Sequence, residues 1–181
     1  MAQELLERKW SNFFRHFDTD GNGFIEHGDF VQRGTQVAVA FGYPAETSAA
    51  KAVKSGFQSV WDSLVANLDT DGDGRVSHAE FTGGMAVFAD EDRYQELFQP
   101  AIDALLAMGD ADGDGRLSRD EWKRIQVGYG TAETDAEYTF GLLDVDGNGY
   151  LTRDEISAAT LQYFTSADPA APGNNLYGPL A

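Results

Sequence analysis

Large apolar residues recur along this chain at helical spacing, in stripes that each stop at an aspartate. Trp10, Phe13, Phe14 and Phe17 stand eight, five, four and one residues before Asp18, and Trp61, Leu64, Val65 and Leu68 hold the same places before Asp69. Residues so spaced share one face of an α-helix. Two further stripes are thinner: Ile102, Leu105 and Leu106 lead to Asp110, with Gly109 in the last place, and Phe140 and Leu143 lead to Asp144. A glycine-rich loop of twelve residues follows each aspartate, and apolar spacing resumes at Phe30, Phe81, Trp122 and Ile156. The pattern predicts helix, loop, helix four times over, an all-α architecture.

Breakers separate these units. Gly42-Tyr43-Pro44 divides the helix after the first loop from the long helix before the second, and Gly128-Tyr129-Gly130-Thr131 divides the third unit from the fourth, with Thr131 expected as an N-cap. Pro100 either kinks the helix leading to Asp110 or opens its second half. The loops start 51, 41 and 34 residues apart, and the 41-residue interval leaves little room for an exposed linker. We therefore expect a pair of units over 1–89 and a second over 90–165, packed into one compact globule. The last segment, 166–181, reads as an extended tail whose apolar end, Leu176, Tyr177 and Leu180, docks on the body.

The four loops are one repeat, from Asp18 to Asp29, Asp69 to Glu80, Asp110 to Glu121 and Asp144 to Glu155. A hard divalent cation is held by oxygen, and a twelve-residue loop surrounds it when positions 1, 3, 5, 7 and 9 point inward and position 12 closes the shell. Loop 2 offers Asp69, Asp71, Asp73, the Arg75 carbonyl and Glu80, with Ser77 at the position usually bridged by water. Loop 3 offers Asp110, Asp112, Asp114, the Arg116 carbonyl and Glu121, with Ser118; loop 4 offers Asp144, Asp146, Asn148, the Tyr150 carbonyl and Glu155, with Thr152. Position 6 is Gly in every loop, which permits the sharp turn. Position 8 is apolar in each, Ile25, Val76, Leu117 and Leu151, and predicts a short backbone pairing between loops.

These loops resemble those of the EF-hand family, and loops 2, 3 and 4 match the pattern D-x-[DN]-x-[DN]-G-x5-E at every position. Within it the chain is similar to calerythrin and the sarcoplasmic calcium-binding proteins. That likeness rests on the length, the four hands, the wide first interval, Asp29 closing loop 1 and the Ala40-Phe41-Gly42 corner. The resemblance implies calcium bound at three to four sites, in two pairs of hands. Loop 1 departs from the pattern: it offers Asp18, Asp20, Asn22, the Phe24 carbonyl and Glu26, and closes with Asp29 in place of Glu. A shorter closing carboxylate favours lower coordination, so loop 1 is expected to tolerate magnesium best.

Charge sharpens this picture. The chain has 30 Asp and Glu against 13 Lys and Arg, a formal net charge of −17, and 17 of the acidic residues lie in the four loops. Such acidity disfavours nucleic acid and anionic membranes as partners. The absence of Cys excludes disulfides and thiolate metal sites. The first residues form a charged, helix-compatible pattern unlike a signal peptide, and Ala2 excludes N-myristoylation. A cytoplasmic monomer is expected. No catalytic constellation stands out: His16, His27 and His78 read as solvated side chains, so the chain is not expected to be an enzyme.

Three uses remain for such a protein. Met is scarce, with only Met85 and Met108 besides Met1, and 12 Phe, 7 Tyr and 3 Trp supply the bulk of the core. A sensor opens an adaptable Met-rich groove, whereas aromatics pack rigidly. The composition favours an intracellular calcium buffer or store over a calcium-dependent regulator of a partner protein. A luciferin-binding protein is the third alternative, since coelenterazine-binding photoproteins share the arrangement and Trp10, Trp61 and Trp122 are available to line a cavity. The tryptophans read more simply as core residues, and no His occurs in the last hand, where photoproteins place one.

Overall fold

The computed structural model describes residues 2–42, 44, 46–85 and 91–180. Among the described residues eight helices carry the four units: α1 (Ala2–Phe17) and α2 (His27–Ala40), α3 (Ser48–Leu68) and α4 (His78–Gly84), α5 (Glu91–Gly109) and α6 (Arg119–Gly128), α7 (Glu133–Leu143) and α8 (Arg153–Thr165). Two-residue strands lie within the loops, and they pair antiparallel. Strand β1 (Phe24–Ile25) faces β2 (Val76–Ser77) with Ile25 opposite Val76, and β3 (Leu117–Ser118) faces β4 (Tyr150–Leu151) with Leu117 opposite Leu151. The apolar residues at loop position 8 thus meet as expected, and each is buried.

The apolar stripes fill the core. Trp10, Phe13, Phe14 and Phe17 are buried against Phe30, Phe81 and Phe164, with the Phe13 ring stacked 4.4 Å from Phe17 and 5.6 Å from Phe81. The third stripe is differently phased. Phe98, Ile102 and Met108 are buried while Leu105 and Leu106 are half-buried. Gly109 supplies the reason: a Cβ there would meet Ile125 Cδ1 at 2.9 Å and Leu117 Cδ2 at 3.0 Å, so those two side chains fill the place that Phe17, Leu68 and Leu143 occupy in the other units. Helix α5 runs across Pro100 from 91 to 109, with Pro100 near its middle.

One correction concerns a helix end. Thr131 does not cap α7, whose N-cap is Ala132; it is buried, donates its N–H to Gln126 O at 3.0 Å and its hydroxyl to Gln126 Oε1 at 3.0 Å. Gly130, at φ 86°, donates to Val127 O, and this pair of bonds ends α6 in a left-handed turn that carries Thr131 inward. The corresponding corner after α2 ends at Gly42 with φ 72°, and its Tyr43 and the 89/90 boundary lie outside the described residues.

The two halves are packed together, α2 against α6, α3 against α5, and α1 against α8. The last contact is the most specific. Lys9 is fully buried and donates to Gln162 O at 2.9 Å, Ser166 O at 2.6 Å and Asn174 Oδ1 at 3.1 Å, so an ammonium from α1 caps the C-terminal end of α8. Trp10 Nε1 donates to Phe164 O at 3.1 Å, and the Tyr163 hydroxyl donates to Lys9 O at 2.6 Å. The final segment forms a 3-10 turn at Pro172–Asn175 rather than staying extended, and places Leu176 in the core and the Tyr177 ring 5.0 Å from Tyr163 and 5.5 Å from Phe13.

Burial lowers the Lys9 ammonium from its ordinary 10.5 to about 8. Between those values the folded chain has released the proton while the unfolded chain keeps it, so the contribution of Lys9 to stability rises with pH across that window. Lys9→Met is expected to lose this rise: the stability difference between variant and wild type widens from pH 8 to 10, read by denaturant unfolding at each pH. A difference that stays constant with pH would contradict it.

Candidate metal centres

Each loop turns through a glycine with positive φ at position 6, between 78° and 87° for Gly23, Gly74, Gly115 and Gly149. The turn points successive backbone N–H groups at the carboxylate of position 1. Asp18 Oδ2 accepts from Gly23 N at 3.0 Å, Asp69 Oδ2 from Gly74 N at 2.9 Å, Asp110 Oδ2 from Gly115 N at 2.8 Å, and Asp144 Oδ2 from Gly149 N at 3.0 Å. Position 3 accepts from the N–H of position 5 in every loop, at 3.0 to 3.2 Å, and position 5 from the N–H of position 7. A carboxylate oxygen has two lone-pair directions. The backbone occupies one, which holds each side chain on the inner wall of its loop.

The closing residues are tied the same way. Glu80 Oε1 accepts from the N–H and hydroxyl of Thr70, at 2.9 and 2.8 Å, and Oε2 from the N–H and hydroxyl of Ser77, at 2.9 and 2.8 Å. These bonds, led by the Ser77 N–H, stabilise the charged form and push the Glu80 carboxyl down to about 2. Burial alone would raise Glu121, but hydrogen bonds from Ser118 and Ala111 hold it below the usual carboxylate range. Ser77, Ser118 and Thr152 also accept from the N–H of Glu80, Glu121 and Glu155, so position 9 caps the exiting helix in a reciprocal box. The Ser/Thr-x-x-Glu spacing carries that role in the sequence, where these residues read only as water-bridged ligand positions.

Carboxylate oxygens gather in threes within 4.8 Å of one another in loop 2 (Asp69, Asp71, Asp73), loop 3 (Asp110, Asp112, Glu121) and loop 4 (Asp144, Asp146, Glu155). Asp144 Oδ1 is buried with no hydrogen-bond partner, an orphan that a cation would satisfy. The donor set fits a hard divalent ion: oxygen only, charged, and already clustered. Loop 1 makes no such triad among the described residues. Asp29 keeps the hydrogen bonds of a closing Glu, accepting from Thr19 N at 3.0 Å, the Thr19 hydroxyl at 2.6 Å and Glu26 N at 2.8 Å. With one methylene less, it reaches those partners only by staying at the loop wall. Glu26 Oε1 lies 4.0 Å from Arg75 Nη1 of loop 2. His27 and His78 are exposed as expected, yet each bonds across its pair, to Gln58 Oε1 and to Ser11 Oγ respectively.

A chain with four such helix-loop-helix units, paired through their loops, belongs to the EF-hand family: the EF-hand domain pair matches residues 7–86, and the EF hand matches 102–126 and 136–158. It is a calcium-binding protein. A Streptomyces coelicolor calcium-binding protein, solved as the structural basis of prokaryotic calcium-mediated regulation, is 32% identical, with TM-score 0.81 over 90% of this chain and 99% of that one. Calerythrin of Saccharopolyspora erythraea is 28% identical over 81 residues, 45% of this chain and 44% of calerythrin, so the match spans less than half of that relative. The calcium-loaded apo form of the coelenterazine-binding protein from Renilla muelleri is 23% identical, with TM-score 0.75 over 99% of this chain and 98% of that one, a likeness of fold.

Removing one cap tests the local architecture. Thr152→Ala deletes the hydroxyl that accepts from Glu155 N and donates to Glu155 Oε2, and is expected to destabilise the metal-free chain by about 1 kcal/mol in urea unfolding.

Proposed function

We propose that the protein is a calcium buffer or store whose four loops take up the ion, with Asp69, Asp71, Asp73 and Glu80, Asp110, Asp112, Asp114 and Glu121, and Asp144, Asp146, Asn148 and Glu155 as side-chain ligands of loops 2 to 4. The carbonyls of Arg75, Arg116 and Tyr150 complete these sets. Loop 1 binds through Asp18, Asp20, Asn22, the Phe24 carbonyl and Asp29, with the greatest tolerance for magnesium. The observation that carries the reading is the three carboxylate triads, each with oxygens within 4.8 Å. The junction of α1, α8 and the final segment supports buffering over sensing, because opening a groove between α7 and α8 breaks the buried bonds of Lys9 and Trp10.

A calcium-dependent regulator is the second reading, favoured by the 32% identical Streptomyces coelicolor protein described with calcium-mediated regulation. A luciferin-like ligand has less support. The apolar cavity between Ile102, Trp122, Ile125 and Tyr177 has a volume of about 60 Å³, well below the several hundred Å³ of a small-molecule site.

Calorimetric calcium titration in physiological magnesium, with ANS fluorescence alongside, separates the readings. A buffer takes up three to four ions with flat ANS emission; a large calcium-dependent rise in emission selects the regulator. Calcium is further expected to raise the melting temperature over that in EDTA, each site contributing about 2.7 kcal/mol when free ion exceeds its Kd a hundredfold; identical curves would refute uptake by the native loops. Asp29→Glu is expected to shift loop 1 toward calcium, and unchanged calcium/magnesium selectivity in that variant would remove the magnesium assignment.

A further inference from the structure

The side chains at loop position 7 follow a rule that ligation does not require, since this position contributes only its backbone carbonyl. Each pair joins a loop with Asp at position 5 and Arg at position 7 to a loop with Asn at 5 and an aromatic at 7. Loop 2, with Asp73 and Arg75, pairs with loop 1, which has Asn22 and Phe24; loop 3, with Asp114 and Arg116, pairs with loop 4, which has Asn148 and Tyr150. In both pairs the guanidinium carbon lies 4.0 Å from the centroid of the partner loop's ring. The same guanidinium holds an oxygen of its own loop's aspartate. Arg75 Nε and Nη2 donate to Asp73 Oδ2 at 3.0 and 2.6 Å, and Arg116 Nη2 donates to Asp114 Oδ2 at 2.9 Å. The N–H of Phe24 and of Tyr150 donates in turn to Asn22 and Asn148 Oδ1, at 2.8 Å each. One cation therefore spans from a position-5 carboxylate in one loop to the position-7 residue of the other.

We propose that Arg75 and Arg116 are positioning residues that couple ion uptake between the two loops of each pair. The inference rests on the calcium reading of the loops given above. An ion in loop 1 draws in the Phe24 carbonyl and fixes its ring; the ring seats the Arg75 guanidinium; the guanidinium holds Asp73 in place, so the second ion meets an arranged ligand. The coupling runs equally in the other direction, as linkage demands. Tyr150, Arg116 and Asp114 repeat the chain of contacts in the second pair. Lysine cannot replace either arginine, because an ammonium lacks the flat fork that stacks and brackets at once.

The test is calcium titration of the full chain followed by the amide signals of Gly23 and Gly74, which donate to Asp18 and Asp69 and so read the two loops separately. In wild type, filling one loop tightens the other. Arg75→Met is expected to reduce that coupling by about two- to fivefold, the worth of an exposed cation–π contact. Phe24→Leu does the same, the double variant loses no more than either single one, and Arg75→Lys does not restore it. Additive losses in the double variant, or a shift confined to Gly74, would overturn the proposal. If a variant of the first pair does not fold, the cycle of Arg116→Met and Tyr150→Leu replaces it. Failure of the unaltered chain to take up calcium overturns the calcium reading instead.

Discussion

Like charges held within a few ångströms are the constraint around which this molecule is arranged. Two carboxylates 4 Å apart repel by about 1 kcal/mol even with the screening of bulk water, and three loops hold three such oxygens within 4.8 Å. Backbone N–H groups aimed at every inner aspartate oppose that repulsion, and only a chain turning through glycine at positive φ can aim them so. The inner aspartates thus give some of their lone pairs to the backbone and keep others for a cation. The loops are fixed shells whose remaining deficit is positive charge, and the net −17 of the chain is concentrated in them.

The helices turn that local requirement into a global one. In the first turn of each exiting helix Glu80, Glu121, Glu155 or Asp29 accepts from the backbone N–H of its own loop, so the position of the helix and that of the loop's last carboxylate are fixed together. The exiting helices begin their cores at Phe30, Phe81, Trp122 and Ile156, all buried, and Phe30 and Phe81 pack on the aromatics of α1. Helix α1 is bound in turn to the end of α8 by Lys9 and Trp10. The loops of both halves are thus joined through their helices to one shared core of aromatic side chains.

Most of the fold could be read from periodicity, because a buried helical face needs apolar residues at fixed offsets whatever it packs against. Trp10, Phe13, Phe14 and Phe17 show this, as do the four residues that start the exiting helices. Where reading failed, a contact from a neighbouring element or turn intervened that helical periodicity does not encode. Gly109 brings α5 close to Leu117 and Ile125, which shifts burial to Met108 and leaves Leu105 and Leu106 half-covered. Thr131 has the residue type of a cap, but the turn at Gly130 carries it inward to Gln126. The capping role of Ser77, Ser118 and Thr152 was available in the Ser/Thr-x-x-Glu spacing, since both partners lie within one turn.

The sequence by itself determined the four helix-loop-helix units, the oxygen-rich shells and their affinity for a hard cation, because each depends on residues within about a dozen positions of one another. Only the tertiary structure decided that Arg75 lies over Phe24 and Arg116 over Tyr150, that Lys9 caps α8 from the opposite end of the chain, and that the 3-10 turn after α8 seats Leu176 in the core. These contacts join residues from about 35 to more than 150 positions apart. No local propensity selects among the many partners available at such separations; the packing of eight helices around one core does.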